Sequence, residues 1–366
     1  MDIISGETLK TLMNKQVGLC LSLYMPTVRK GAESQQQNQI RFKNLVRKSE
    51  EQLLASDLRP SEVKYFMAPV QEITGDAPFW RNQGEGLALF LSPDVFRYYR
   101  LPYRFSELVV LSDRFHLRPL LPIIGSDMEF FILAISQRSV RLFECTPDRA
   151  LEVKLKGMPQ NIDDALKLDT VEKRLHLHTG SVDTKANILQ YFKIVDRGLR
   201  EHFRDRHAPL VFAGVDYLFP LYREANTCAP LIEKPIAGNP EGLSGEELLE
   251  LARPIAAILH ERKKADAVAQ YRQKAGTGLA SHDIREIVPA SRHGRIGTLL
   301  VADGVHQWGA YDESTDKIYV SDELKPGYED LLDRAAIQTI LANGTVYGMS
   351  PEEIPEKAPL AAIFRY

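Results

Sequence analysis

Lys185-Ala-Asn-Ile-Leu-Gln-Tyr-Phe-Lys-Ile-Val-Asp-Arg-Gly-Leu-Arg-Glu-His-Phe-Arg204 and, after a short polar break, Leu210-Val-Phe-Ala-Gly-Val215 form the stretch whose reading decides the fold. Ile188, Leu189, Phe192, Val195, Leu199 and Phe203 recur at helical spacing and share one face of an amphipathic helix. Residues 210–215 are a short apolar run suited to a buried strand. Before the helix, residues 129–136 and 140–145 read as strands around a polar turn, residues 150–155 as a further strand and residues 161–168 as a short helix. Strands, helix and strand in this order predict a mixed sheet with helices packed against it, hence an α/β (α+β) fold.

The flanks extend this reading. Toward the N-terminus, residues 17–24 read as a buried strand ending at Pro26, and residues 31–39 as a polar loop. Phe42, Leu45, Val46, Ser49 and Leu53 then lie at helical spacing. Residues 86–91 and 95–101 flank Ser92-Pro93-Asp94 as an antiparallel strand pair, with further strands at 108–111 and 115–121. Toward the C-terminus, Ala237-Gly238-Asn239-Pro240 is a strong breaker run. Ser244 with Glu247 makes a capping-box start for a helix reaching residue 274, where Pro254 marks a kink or a second start. Strands at 298–302 and 317–320 follow. A helix over 328–342 stops at Asn343-Gly344, and strands at 345–349 and 360–364 close the chain. Three domains are expected, at residues 1–125, 126–240 and 241–366.

Composition narrows the function. The chain has 366 residues, 44% hydrophobic and 26% charged, with a net charge of −3. That charge argues against non-specific coating of nucleic acid, which needs many phosphate contacts, and leaves room for a local basic patch. Cys20, Cys145 and Cys228 are isolated, which excludes a disulfide framework and a C-x-x-C zinc site and fits a reducing, cytoplasmic setting. No signal-peptide pattern is visible, and no apolar run is long enough to span a bilayer.

Two regions carry a family resemblance. The first is Leu210-Val-Phe-Ala-Gly-Val-Asp-Tyr-Leu218 with Tyr222-Arg-Glu-Ala-Asn226 and Ile236-Ala-Gly-Asn-Pro240. The second is Ala275-Gly-Thr-Gly-Leu-Ala-Ser281, Gly294-Arg-Ile-Gly-Thr-Leu-Leu-Val301, Asp330-Leu-Leu-Asp-Arg-Ala-Ala336, Asn343-Gly-Thr-Val-Tyr347 and the ending Ala362-Ile-Phe-Arg-Tyr366. Together they resemble the bacterial archaeo-eukaryotic release-factor-like family, in its third subgroup. The resemblance implies an RNase H-like middle domain and a C-terminal α/β domain of the Pelota and release-factor type, behind a bacterial N-terminal domain. It also implies the ribosome as partner, at the tRNA site through ribosomal or transfer RNA, and a translational GTPase as a further partner. No cofactor is implied. The family's Gly-Gly-Gln loop corresponds to His176-Leu-His-Thr-Gly-Ser-Val-Asp-Thr-Lys185, with Thr179, Gly180 and Ser181 at the active-loop position. Gly180 is present, but there is no Gly-Gly and no Gln, so peptidyl-tRNA hydrolysis by that mechanism does not carry over.

The candidate RNA-binding residues are Lys185, the stripe of Lys193, Arg197, Arg200 and Arg204, and the pair Arg292 and Arg295. The stripe's four-, three- and four-residue spacing puts it on one helix face, where it can follow a phosphate backbone. It also reads as a solvated face offset by Asp196, Glu201 and Asp205. Arg292-His293-Gly294-Arg295 can touch phosphate or serve as an ordinary loop. His176 and His178 could begin a metal site but lack a third ligand at a telling spacing, so no metal is expected. Asp163, Asp164, Asp169 and Asp216 could be nuclease carboxylates, yet Asp163-Asp164 also suits a helix start. Ser281 reads as a helix cap rather than a nucleophile beside His282 and Asp283.

Three functions compete. The first is a ribosome-associated factor for rescue, stress or hibernation that need not hydrolyse anything. The second is a hydrolase of an RNA-linked ester or phosphodiester, whose catalytic residues the sequence does not reveal. The third is an adaptor without RNA contact.

Overall fold

The computed structural model describes every residue except 1–5, 16–17, 29–31, 57, 125–129, 147–148, 156–157, 166–183, 205–207 and 326. The fold is mixed α/β, with four sheets among the described residues. The chain forms two compact units, residues 1–125 with 266–366, and residues 126–265.

In residues 1–125, β1 (Cys20–Pro26), β2 (Gly86–Leu91), β3 (Phe96–Leu101) and β4 (Leu108–Ser112) form an antiparallel sheet in the order β3-β2-β1-β4. Alternate residues of β1 serve opposite faces, as the period of two requires. Leu21, Leu23 and Met25 pack in one core with Phe42, Leu53, Met67 and Trp80 from the helices Ala32–Ala55, Pro60–Gly75 and Ala77–Arg81. Cys20 and Tyr24 pack in the other with Phe90, Phe105, Phe115 and Leu117. Because both faces are covered, β1 and β2 read as nearly continuous apolar runs.

Two expectations fail here. The expected loop at 31–39 belongs to the helix Ala32–Ala55. Its polar look hides Asn38, which is fully buried and bonds both ways to the Val28 backbone, at 3.2 Å to its N–H and 3.1 Å to its carbonyl. The expected strand at 115–121 is instead a 3-10 turn, Arg118–Leu120, leading into the short helix Leu121–Ile124. Pro119 and Pro122 lack the N–H groups a sheet ladder needs.

In the second unit, β5 (Phe130–Ile135), β6 (Val140–Thr146), β7 (Arg149–Val153), β8 (Leu210–Gly214) and β9 (Ile236–Ala237) form a five-stranded mixed sheet in the order β7-β6-β5-β8-β9. β5 and β8 are parallel, as are β8 and β9, whereas β6 runs antiparallel to both of its neighbours. One face packs on the helix Thr184–Phe203 and the other on the start of the helix Gly245–Lys274, through Leu248, Ala252 and Ile255. The expected capping box opens that long helix: Glu247 Oε2 accepts from Ser244 N–H at 2.8 Å, and Ser244 Oγ accepts from Glu247 N–H at 3.2 Å. The helix passes through Pro254 as one span.

The described residues of 266–366 hold two sheets. β10 (Ala280–Ser281), β11 (Ile296–Ala302), β15 (Thr345–Met349) and β16 (Leu360–Phe364) pair in the order β10-β16-β11-β15. β12 (Trp308–Asp312), β13 (Lys317–Ser321) and β14 (Glu329–Asp330) form the other, in the order β13-β12-β14. The expected helix at 328–342 starts later, at Leu331, because Glu329 and Asp330 pair with β12. Asp330 caps it by accepting from Leu332 N–H at 3.1 Å. It ends where the sequence places its stop: Asn343 has φ +56°, and Gly344 N–H donates to Thr339 O at 2.8 Å.

Candidate nucleic-acid interface

The helix Thr184–Phe203 is amphipathic in the way its sequence dictates. Ile188, Tyr191, Phe192, Val195, Leu199 and Phe203 are buried against β5 and β8. Tyr191, which lies between two of the expected core positions, joins the core and donates its hydroxyl to Ser136 O at 2.9 Å. With the buried face fixed, the opposite side of the helix faces water. Lys185, Lys193, Arg197, Arg200 and Arg204 are all exposed. At 3.6 residues per turn, the last four fall within an arc of about 60° and span roughly 16 Å along the axis. Lys185 lies outside that arc.

The acidic residues beside the stripe divide by role. Asp196 is 2% exposed and turned inward. Its Oδ1 accepts from the N–H groups of Thr227 at 2.9 Å and Cys228 at 3.2 Å, and its Oδ2 accepts from the Thr227 hydroxyl at 2.5 Å. A carboxylate occupied this way anchors the 227–228 loop and does not cover the stripe. Glu201 is exposed at the stripe's flank, and Asp205 lies outside the described residues. Arg200 reaches the same loop, with Nη2 3.4 Å from Thr227 Oγ1.

Arg292 and Arg295 lie in the other unit. Arg292 pairs with Glu313 at 3.2 Å and donates to the Glu313 carbonyl at 2.6 Å. Arg295 lies over the rings of Phe364 and Tyr366, 5.4 and 5.9 Å from their centroids. Both already have protein partners. His176, His178, Thr179, Gly180, Ser181 and Asp169 lie outside the described residues.

Asp164 N–H donates to Asn161 Oδ1 at 2.8 Å, and Asp216 opens a 3-10 turn after β8. The helix cap expected at Ser281 is Asp283, which accepts from Arg285 N–H at 2.9 Å; Ser281 Oγ accepts from Asp283 N–H at 3.1 Å. His282 Nδ1 lies 3.3 Å from Tyr271 Oη.

One polar constellation has no counterpart in the sequence reading. Among the described residues, the one group of three or more side chains with metal-ligand chemistry is His116, His306 and Asp330. Arg118, 6% exposed, lies among them. Its Nη1 donates to Ala302 O at 2.9 Å and its Nη2 to Val305 O, and Nη2 lies 3.0 Å from Asp330 Oδ2. His306 Nδ1 is 2.8 Å from the same oxygen, and its ring stacks on Trp308. Asp333 accepts from the N–H groups of Leu117 and Arg118 and faces His116 Nδ1 at 3.5 Å. Burial pushes His116 down to about 3 and Asp333 up to about 7. Burial also raises Asp330, but the His306 hydrogen bond and the Arg118 charge outweigh it and hold that carboxyl low.

Comparison with known proteins places the middle of the chain. Residues 129–295, just under half of the chain, match the family described as Bacterial archaeo-eukaryotic release factor family 3. No curated protein matches the chain significantly. Similar solved structures include ribosome-bound archaeal Pelota with ABCE1, at 12% identity over 77% of each chain and a TM-score of 0.39. The archaeal translation termination factor aRF1 aligns at 15% identity over 98% of this chain and 96% of its own, with a TM-score of 0.26. Saccharomyces cerevisiae Dom34 aligns at 12% identity over 77% of this chain and 79% of its own, with a TM-score of 0.32. No helix among the described residues is long and apolar enough to cross a membrane.

Proposed function

We propose that this protein is a ribosome-associated translation factor of the release-factor-like kind. It binds at the tRNA site in rescue, stress or hibernation and does not hydrolyse peptidyl-tRNA. The observation that carries the reading is the stripe of Lys193, Arg197, Arg200 and Arg204. It is exposed on a helix whose opposite face is core and whose Asp196 is turned inward. The family match over residues 129–295 includes this helix. The missing Gly-Gly-Gln in residues 176–185 favours binding without hydrolysis. An RNase H-like reading of the middle sheet belongs to the same proposal and is supported by its order β7-β6-β5-β8-β9 with β6 reversed. So does a translational GTPase partner, which rests on the family resemblance alone.

Phosphate contacts are independent of sequence and sensitive to salt. Replacing Arg197 and Arg200 together by Glu should abolish most co-sedimentation with ribosomes while far-UV circular dichroism stays unchanged. Each lost contact should lower the log–log salt slope by about one unit. A folded double variant that pellets with ribosomes like the wild type refutes the stripe. A wild-type protein that never pellets, with or without a translational GTPase, refutes the ribosomal reading and leaves the adaptor. Single-turnover release of peptide from peptidyl-tRNA would favour the hydrolase.

A further inference from the structure

We propose that His116, His306 and Asp330 form a binding site for a transition-metal dication, with zinc the best fit. The site is separate from the stripe and independent of the ribosomal reading.

One ring nitrogen from each histidine and one carboxylate oxygen lie within 4.8 Å of one another. Ligand atoms around tetrahedral zinc sit about 3.3 Å apart, given bonds of about 2.0–2.1 Å. His306 Nδ1 and Asp330 Oδ2, 2.8 Å apart, are already within that spacing, so only His116 needs to close in. Two imidazoles and a carboxylate are a donor set that zinc accepts, with a fourth position left for water.

The surrounding groups orient each ligand. Asp330 Oδ1 is held by the N–H groups of Gln307 at 3.3 Å and Leu332 at 3.1 Å, which leaves Oδ2 to ligate. His116 Nδ1 faces the Asp333 carboxylate at 3.5 Å, so Nε2 is its ligating nitrogen. His116 is 2% exposed, and its Nε2 is buried with no hydrogen-bond partner among the described residues. A buried ring nitrogen without a partner is costly, and a carboxylate behind a histidine is the usual outer shell of a zinc ligand.

Charge points the same way. Asp330 and Asp333 are two buried acidic groups, and the one guanidinium among them, that of Arg118, touches Asp330, whereas Asp333 accepts only from the Arg118 backbone N–H on that residue. A dication would balance the second carboxylate. Arg118 Nη2 now lies 3.0 Å from Asp330 Oδ2 and 3.1 Å from His306 Nδ1, so metal and guanidinium compete for these two atoms. The bonds to Ala302 and Val305 keep Arg118 in place when the ion takes them over. Arg118 and His306 also line a cleft of about 290 Å³ together with Arg104, Ser106, Asp303 and Gly304, so the His306 side of the site is open to solvent.

The test uses the full-length protein, stripped with EDTA, and zinc chloride as the probe. Calorimetry should show one ion per chain, and cobalt chloride should give the visible absorption of a low-coordinate nitrogen–oxygen site. Zinc should raise the melting temperature of the wild type. His306→Ala is the decisive variant, because that side chain is 27% exposed and its loss should spare the fold. It should weaken zinc binding at least about tenfold and remove the thermal shift. His116→Gln, if folded, should do the same, whereas the double variant His176→Ala with His178→Ala should bind like the wild type. The proposal is overturned if the folded wild type binds no zinc at about 100 µM, a roughly −5.5 kcal/mol threshold. It is overturned equally if His306→Ala binds undiminished, or if binding is lost in the His176/His178 variant instead.

Discussion

Replacing Asp196 by alanine should loosen the attachment between the stripe helix and the 227–228 loop. The buried carboxylate accepts from two backbone N–H groups and one hydroxyl. Hydrogen bonds to a charged group contribute roughly 1.5–3 kcal/mol each, and stranding a buried donor costs about 1–3 kcal/mol. The loop is only partly buried, so water can recover some of that loss. A net cost of about 2–4 kcal/mol is expected. Asp196→Asn should cost less, about 1 kcal/mol, because an amide oxygen can still accept from Thr227 and Cys228 while the Thr227 hydroxyl turns to accept. Hydrogen exchange over residues 184–203 and 226–229 reads this directly. At 1.36 kcal/mol per factor of ten, the alanine variant should exchange about 30- to 900-fold faster there. Tryptophan fluorescence provides an internal control, since Trp80 and Trp308 both belong to the other unit. Ribosome co-sedimentation of Asp196→Asn should match the wild type, because the outer charges are untouched. An alanine variant that exchanges within about twofold of wild type, well under 1 kcal/mol, would show that Asp196 is not an anchor. An asparagine variant as damaging as alanine would show that its charge matters more than its geometry.

Other outcomes are equally open to measurement. Burial pushes the thiols of Cys20 and Cys145 up to about 12, and Cys228 is raised by burial and then by its contact with Asp196. None of the three should react quickly with a thiol reagent at pH 8 in the native protein, and all three should react in guanidinium. Because the folded state holds the protons of Cys20 and Cys145 more tightly, their stabilisation is present below pH 9 and is lost as the pH rises toward 12. Alkaline unfolding should therefore shift upward in a Cys20→Ala/Cys145→Ala variant that remains folded. Gly344→Ala would place a Cβ 2.6 Å from Thr339 Cγ2 and 2.8 Å from Ile296 O, and should cost about 1–3 kcal/mol by urea denaturation. Asn343→Gly, at φ +56°, should be neutral or gain about 0.5 kcal/mol. Tyr24→Phe removes a buried hydroxyl that donates to His116 O at 2.6 Å and should cost about 1–2 kcal/mol in the same assay.

The elements that sequence alone places correctly are those whose pattern is local. The stripe helix has a core face at helical spacing, and β8 is a bounded apolar run. The helix start at Ser244 and the stop at Asn343-Gly344 depend on hydrogen bonds between residues three to five apart. Where the outcome depends on distant partners, the local pattern misleads. Residues 32–39 look like a loop because they are polar, yet Asn38 is buried against Val28. Asp196 looks like a surface counter-charge to the stripe, yet its partners lie 31 and 32 residues away, on a loop that the 3.6-residue period cannot report.

The buried cluster around Arg118 is the extreme case. Its members lie in residues 116–118 and 306–333, so no ligand spacing can reveal it. The local sequence read residues 115–121 as a strand, whereas Arg118 is 6% exposed. A guanidinium tolerates such burial only when its N–H groups are matched, and Ala302, Val305 and Asp330 match them. The same reasoning sets the cost of disturbing it. Arg118→Met keeps the apolar stem but leaves the fully buried Asp330 side chain without its cation. Breaking one half of a buried pair costs about 3–5 kcal/mol, whereas replacing both halves can be nearly neutral. Urea unfolding followed by tryptophan fluorescence should show that loss, because His306 stacks on Trp308 at 5.1 Å beside the cluster. Adding Asp330→Asn to Arg118→Met should recover part of it, since the charge is removed while an oxygen remains to cap Leu332. A single variant that loses less than about 1 kcal/mol would mean that water or His306 balances Asp330 without the guanidinium. A double variant weaker than the single would mean that the carboxylate serves the fold through its cap rather than through the pair.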